Sequence, residues 1–223
     1  PIKNADYIQF IQNFLEKHRI TSVLDFGCGD WQFSRFIDWE GASYVGLDLV
    51  PEVIAANHEA YARSGVEFAV SNGPDELPLV DLLLCKDVFQ HLPNATIRAY
   101  LDAFKRCAKY LLIANDDQPA SALNGAIEAG GWRPVRLDHP PFSEQAPIVF
   151  EWTITAGGWK PTHKATCLIK VIEAAQVGWP GALFVGLDQC KPTALALGPN
   201  LITIATRSEA HATSGSTNIP HIS

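Results

Sequence analysis

Apolar and polar positions follow two rhythms along the first half of the chain. Between Ala5 and Lys17, the residues Tyr7, Ile8, Ile11, Phe14 and Leu15 recur at helical spacing, and Asn4 stands where a side-chain cap is expected. Ser22–Phe26 is a short apolar run that predicts a strand and ends in glycines. A helix through Phe33, Phe36 and Ile37 is expected next, then a strand over Ser43–Leu47 that ends at Asp48. Pro51 sits where the first turn of a helix tolerates proline. That helix is expected to run to about Arg63, with Gly65 stopping it. Val66–Val70 predicts a third strand, which leads into a polar turn over residues 71–76. Val80–Cys85 is almost continuously apolar, as a strand buried on both faces should be. Ala95–Lys105 carries Ile97, Tyr100, Leu101 and Phe104 on one helical face. Tyr110–Ala114 predicts a fifth strand ending at Asn115, Asp116 and Asp117.

This alternation of strands and helices predicts an α/β fold: a doubly wound, mostly parallel sheet covered on both faces. Right-handed crossovers then bring the C-terminal ends of the strands to one rim, where open α/β sheets bind ligands. Beyond Gly125 the text changes. Gly, Pro and Trp become frequent, and the hexamer of residues 129–134 nearly recurs at 156–161, two copies that make no repeat architecture. Ile148–Ile154 and Thr166–Ile172 predict two further strands. Residues 173–223 exceed what such a sheet needs. They hold two apolar segments and a polar end, expected to extend the sheet, mediate a homo-oligomer, or stand outside the minimal domain.

Charge and composition narrow the partners. The net charge is −7, and the longest Lys/Arg run is the pair Lys105-Arg106, so no clustered positive charge awaits a nucleic acid backbone. No apolar stretch reaches membrane-span length, and the first residues do not read as a signal peptide, so a cytoplasmic protein without membrane contact is expected. The five cysteines, at 28, 85, 107, 167 and 190, have no metal-ligand spacing and read as buried, reduced thiols.

The chemistry concentrates around Asp25-Phe26-Gly27-Cys28-Gly29 and the acid that ends the next strand, Asp48. Glycine lets a backbone turn sharply and approach a ligand closely, and an acid on the second strand accepts hydrogen bonds from ribose hydroxyls. A dinucleotide oxidoreductase needs G-x-G-x-x-G, but here the third position is Gln32. A pyrophosphate also disfavours carboxylates beside its loop, whereas Asp25 and Asp30 flank these glycines. The segment resembles the first motif of the class I S-adenosylmethionine (SAM)-dependent methyltransferases, whose cofactor is cationic at its sulfonium and ammonium. The wider pattern, from the glycine motif through Lys86-Asp87-Val88-Phe89-Gln90-His91-Leu92 to Gly130-Gly131-Trp132-Arg133-Pro134, resembles a bacterial group of methyltransferase-domain proteins.

The resemblance covers roughly residues 20–171 and implies a Rossmann-like seven-stranded sheet whose last two strands form an antiparallel pair. It implies a SAM-binding domain over residues 1–172, with a covering segment at about 118–147, and a C-terminal extension over 173–223. Asp25, Phe26, Gly27, Cys28 and Gly29 would hold the methionyl end of SAM, Asp48 the ribose, and Leu49 the adenine. Asn72 stands near the place of the family's adenine-binding acid, and Lys86 opens the segment that lines the sulfonium. Asp87 and His91 are the candidate catalytic residues, by position and, for His91, by its convenient pKa. Against these roles, His91 caps or packs at the next helix, and Asp87 holds its own loop. Oxygen ligands at Asp87, Asn115, Asp116 and Asp117 suit Mg²⁺, as in catechol-type enzymes, but they are also ordinary turn residues, and no metal is assigned. Trp31 is expected to pack under the glycine loop and Trp132 to belong to the covering segment. The implied activity is methyl transfer to O or N of a small-molecule acceptor. The alternatives are a non-catalytic SAM-binding or assembly domain and, third, an NAD(P)-dependent oxidoreductase.

Overall fold

A computed structural model describes residues 4–117, 123–155 and 161–171. Seven strands form one sheet: β1 (Ser22–Phe26), β2 (Ser43–Asp48), β3 (Val66–Val70), β4 (Val80–Lys86), β5 (Ala108–Asp116), β6 (Ile148–Ile154) and β7 (Thr162–Lys170). Their order is β3-β2-β1-β4-β5-β7-β6. The first five pair in parallel, while β7 runs antiparallel to both β5 and β6. This is the α/β sheet expected, and the chain reverses direction across it at β1, beside which the glycine turn lies.

Among the described residues, α1 (Ala5–His18) precedes the sheet, while α2 (Pro51–Tyr61) and α3 (Asn94–Cys107) join its strands. α3 buries Ile97, Leu101 and Phe104 on one face of the sheet, among Leu83, Leu111 and Ile113. α1 buries Tyr7, Ile11 and Phe14 on the other, among Leu82, Leu84, Leu112 and Trp152. Each such side chain removed from water is worth about 2 kcal/mol, and burial on both faces explains why β1 and β4 read as mostly apolar runs.

Several expectations are corrected. Asn4 does not cap α1 with its side chain. It sits at φ 67°, and its Oδ1 accepts a hydrogen bond from Trp152 Nε1 at 3.1 Å. The helix expected through Phe33, Phe36 and Ile37 is a single 3₁₀ turn over Ser34–Phe36. Trp31 at φ 57° breaks the helical path, Ser34 turns its hydroxyl into buried Asp25, and Trp39 Nε1 takes the Ser34 carbonyl at 2.9 Å. α2 stops at Tyr61 because Ala62 is extended and Arg63 pairs with Val66 instead. β5 is longer than its apolar run at both ends, and β7 starts at Thr162 and ends at Lys170 rather than spanning 166–172. Pairing on both sides, with Asp116 and with Trp152, draws the polar residue Lys164 into the ladder.

All but the last residue of the second hexamer, the start of the covering segment, Cys190 and the extension over 173–223 lie outside the described residues. Among those described, no helix is long and apolar enough to cross a membrane. The four described cysteines are free and buried.

Candidate active site

At the C-terminal rim, the turn after β1 meets the ends of β2 and β4 around an open cleft. Its walls are Phe26, Gly27, Gly29, Leu47, Asp48, Leu49, Ser71, Lys86, Asp87 and Val88. The turn is pinned from behind, because the amides of Gly27 and Cys28 both donate to the Leu47 carbonyl, at 2.8 and 3.0 Å. Gly27 has φ 74°, and a Cβ there would stand 2.3 Å from Val88 Cγ2. Only glycine fits both the backbone and the space. Asp48 binds the turn from the front: one carboxylate oxygen accepts the Gly29 amide and the other the Val50 amide, each at 3.0 Å. The two bonds fix the carboxylate's plane and leave further lone pairs toward the cleft.

Asp25 lies beneath this turn, not on the wall. It is buried and accepts hydrogen bonds from Tyr44 Oη at 2.6 Å and Ser34 Oγ at 3.0 Å. Burial raises its pKa, and those two hydroxyls offset part of the rise. Cys28 is also beneath, against Asn57, whose amide reaches the Gly29 carbonyl at 2.7 Å. Burial, then Asp25 and Asp48, push its thiol far up, so it is not a nucleophile.

On the far side of the cleft, charges alternate. Lys86 Nζ bonds one oxygen of Asp87, and Lys164 Nζ bonds the other at 2.6 Å. Lys164 also bonds Asp116, whose second oxygen accepts Trp132 Nε1 at 3.0 Å. Burial alone would raise the Asp87 pKa, but the two ammonium groups outweigh it and hold the carboxyl below its usual value. Burial likewise would lower the Lys164 pKa, and the two carboxylates raise it instead. Asp87 has φ 62°, and its amide donates to the Ala114 carbonyl at 2.8 Å.

The chain matches the methyltransferase domain family over residues 3–146. It belongs to that family. Among solved structures, its methyltransferase fold is similar to the magnesium protoporphyrin IX methyltransferase of Synechocystis PCC 6803 with bound S-adenosylhomocysteine (SAH), at 14% identity and TM-score 0.52, over 73% of this chain and 81% of that one. It is also similar to the N-methyltransferase NodS of Bradyrhizobium japonicum WM9 in complex with SAH, at 15% identity and TM-score 0.54, over 75% and 87%. The sheet is thus that of the class I methyltransferases. No curated protein matches the chain in sequence.

Within this methyltransferase fold, the expected site residues divide. Phe26, Gly27, Gly29, Asp48, Leu49, Lys86 and Asp87 line the cleft, whereas Asp25 and Cys28 support it from below. Asn72 turns away: its amide donates to Glu76 Oε2 at 3.0 Å, and Ser71 takes the place on the wall. His91 is also off the wall. Its Nδ1 lies 2.9 Å from the Gly131 carbonyl, an acceptor only, so Nδ1 carries the proton, while Nε2 faces the Gln90 amide at 3.4 Å. Trp31 packs beneath the loop against Tyr44, Tyr61 and Phe68, as expected. Trp132 is 48% exposed on the covering segment.

The four residues considered for Mg²⁺ do not come together as a ligand set. Lys164 stands between Asp87 and Asp116, and Asp117 pairs with Arg136 at 3.3 Å. Asp117, Glu151 and His163 bring ligand atoms within 4.8 Å of one another on the rim, where His163 Nε2 already lies 3.3 Å from Glu151 Oε1. Sequence reasoning missed Lys164 and Arg133. Lys164 sits in a strand read as starting two residues later. Arg133 carried no signal beyond the hexamer, although its buried guanidinium binds the carbonyls of Phe89 and Leu92 and Asn94 Oδ1, each at 2.7 Å.

Proposed function

We propose that the chain binds SAM in the glycine-turn cleft and transfers its methyl group to O or N of a small-molecule acceptor. The observation that carries this reading is Asp48, held by the amides of Gly29 and Val50 on the wall of a turn that tolerates no side chain at Gly27. Its spare lone pairs accept from ribose hydroxyls, Leu49 and Ser71 flank the adenine, and the backbone of Gly27 and Gly29 faces the methionyl end. When bound, SAM supplies a methyl carbon already activated by the sulfonium. What remains for the protein is alignment and exclusion of water. A small acceptor accords with the net charge of −7 and with the porphyrin named as substrate of the magnesium protoporphyrin IX enzyme.

Calorimetric titration of SAM, SAH and NADH into the chain and into Asp48→Ala tests this. SAM and SAH bind saturably to the parent, and the variant loses at least about tenfold, the cost of one or two charge-assisted hydrogen bonds. NADH binding without SAM binding overturns the reading in favour of an oxidoreductase.

A second reading has its own observation. Asp87 is held by two lysines and His91 is turned to Gly131, so among the described residues no free base lines the cleft. A non-catalytic SAM-binding domain would look the same. SAH formation that depends on an added acceptor separates the two.

A further inference from the structure

We propose that Lys164 is the built-in counter-cation of the acceptor side. Its ammonium holds Asp87 and Asp116 together at the rim, where two facing carboxylates would otherwise take up a divalent cation. The role given to the strip in binding cofactor and acceptor rests on the methyltransferase reading; the ion-pair geometry does not.

Lys164 Nζ contacts Asp87 Oδ1 at 2.6 Å and Asp116 Oδ1 as well, so oxygens from the ends of β4 and β5 converge on one nitrogen carried by β7. The side chains of Lys164 and Asp116 are only 8% and 10% exposed, so water is a poor substitute for either. Three backbone constraints set the spacing. The Asp87 amide bonds the Ala114 carbonyl, the Asp116 amide bonds Gln90 Oε1 at 2.9 Å, and Lys164 is in register with Asp116 across the β5–β7 ladder. With Lys86 on Asp87 and Trp132 on Asp116, all four carboxylate oxygens have a donor. A continuous strip therefore runs from the cleft wall to an exposed indole.

Two consequences follow from the chemistry. A carboxylate shared by two ammonium groups is a weak base, so Asp87 serves by position, and the acceptor must arrive as a competent nucleophile, an anionic oxygen or an unprotonated amine. Removing the ammonium would leave the buried Asp116 carboxylate facing the part-exposed Asp87 without their shared donor, which is costly unless another cation enters, and paired carboxylate oxygens suit a hard divalent ion.

The test is Mn²⁺ uptake by electron paramagnetic resonance, with SAH titration in parallel, on the full chain, Lys164→Ala, and Lys164→Ala combined with Asp116→Asn. Lys164→Ala is expected to bind Mn²⁺ at least about tenfold more tightly than the parent, and the double variant to lose that gain. In chelator, Lys164→Ala binds SAH about tenfold more weakly, because the Asp87 carboxylate, then held by Lys86 alone, loses one of its two side-chain anchors on the cleft wall. Mn²⁺ restores most of that loss, which a purely structural lysine would not allow. Mn²⁺ uptake equal to the parent's, or unchanged SAH affinity in chelator, overturns the proposal. If Lys164→Ala does not fold, Lys164→Arg and Lys164→Gln replace it: Arg keeps SAH affinity within about threefold and Gln does not, and equal affinities overturn the proposal. A parent chain that binds neither SAM nor SAH removes the methyltransferase reading, and the Mn²⁺ comparison still decides the role of Lys164.

Discussion

At the residue scale, the two glycines of the turn look alike in sequence and differ in kind. Both have positive φ, but a Cβ on Gly27 would collide with Val88, whereas one on Gly29 would meet nothing within 4 Å. Gly29→Ala is expected to cost about 1 kcal/mol, from its left-handed backbone alone. Gly27→Ala is expected to cost about 2–4 kcal/mol, since the overlap adds to the strain. Urea unfolding of both variants checks the order, and equal losses would mean that Val88 moves aside freely. A second expectation concerns sulfur. Burial pushes the thiols of Cys107 and Cys167 up to about 12, and those of Cys28 and Cys85 are raised as well. These four should therefore stay unreactive to Ellman's reagent in the native chain and titrate on denaturation. The place of the glycines and Asp48 on the cleft was legible because local spacing sets it. Asn72 was misplaced because sequence shows that a polar residue follows β3, not which of two neighbours faces inward; Glu76, four residues on, captures the Asn72 amide.

At the scale of elements, strands were easier to read than their connections. Double-sided burial stamps β1 and β4 with apolar runs, while the link from β1 to β2 was misread as a helix. Phe33, Phe36 and Ile37 have helical spacing, but Trp31, Ile37 and Trp39 are buried by an irregular path that hydrogen-bonds through side chains. Periodicity cannot report a contact between Ser34 and a strand residue such as Asp25. The same limit hid the clasp between the segment after β4 and the covering segment. Arg133 donates to Phe89 and Leu92, its amide to Gln90, and Gly130 to the His91 carbonyl at 2.9 Å. Arg133→Met should cost about 2–4 kcal/mol, because buried carbonyls are left without donors. Urea midpoints measure it, and a loss under about 1 kcal/mol would show that water takes the guanidinium's place.

At the scale of the molecule, carboxylates set the acid limit of stability. Asp87 has a folded pKa below its ordinary 3.8, owing to Lys86 and Lys164 against the opposing effect of burial. Its stabilising contribution is therefore complete above pH 3.8 and is lost as pH falls through the lower folded value. Asp138, bonded by Arg136 against a smaller burial effect, is lowered to about 2 and acts in the same direction between 3.8 and 2. Asp25, raised by burial, acts oppositely, and its charge costs stability as pH rises past its folded value. Melting temperatures of Asp87→Asn and the parent between pH 2.5 and 7 should differ most at neutral pH and converge in acid. A constant difference would remove Asp87 from the acid limb.

The strand order also has a history written into it. β7, the last of the described strands along the chain, lies between β5 and β6. As the chain leaves the ribosome, β1 to β4 and the whole cleft wall exist about eighty residues before Lys164 does. Until then the long apolar edge of β5 lies open, and Asp87 and Asp116 face each other without their shared cation. A nascent chain arrested before β7 should thus hold a nearly finished cleft beside an aggregation-prone edge.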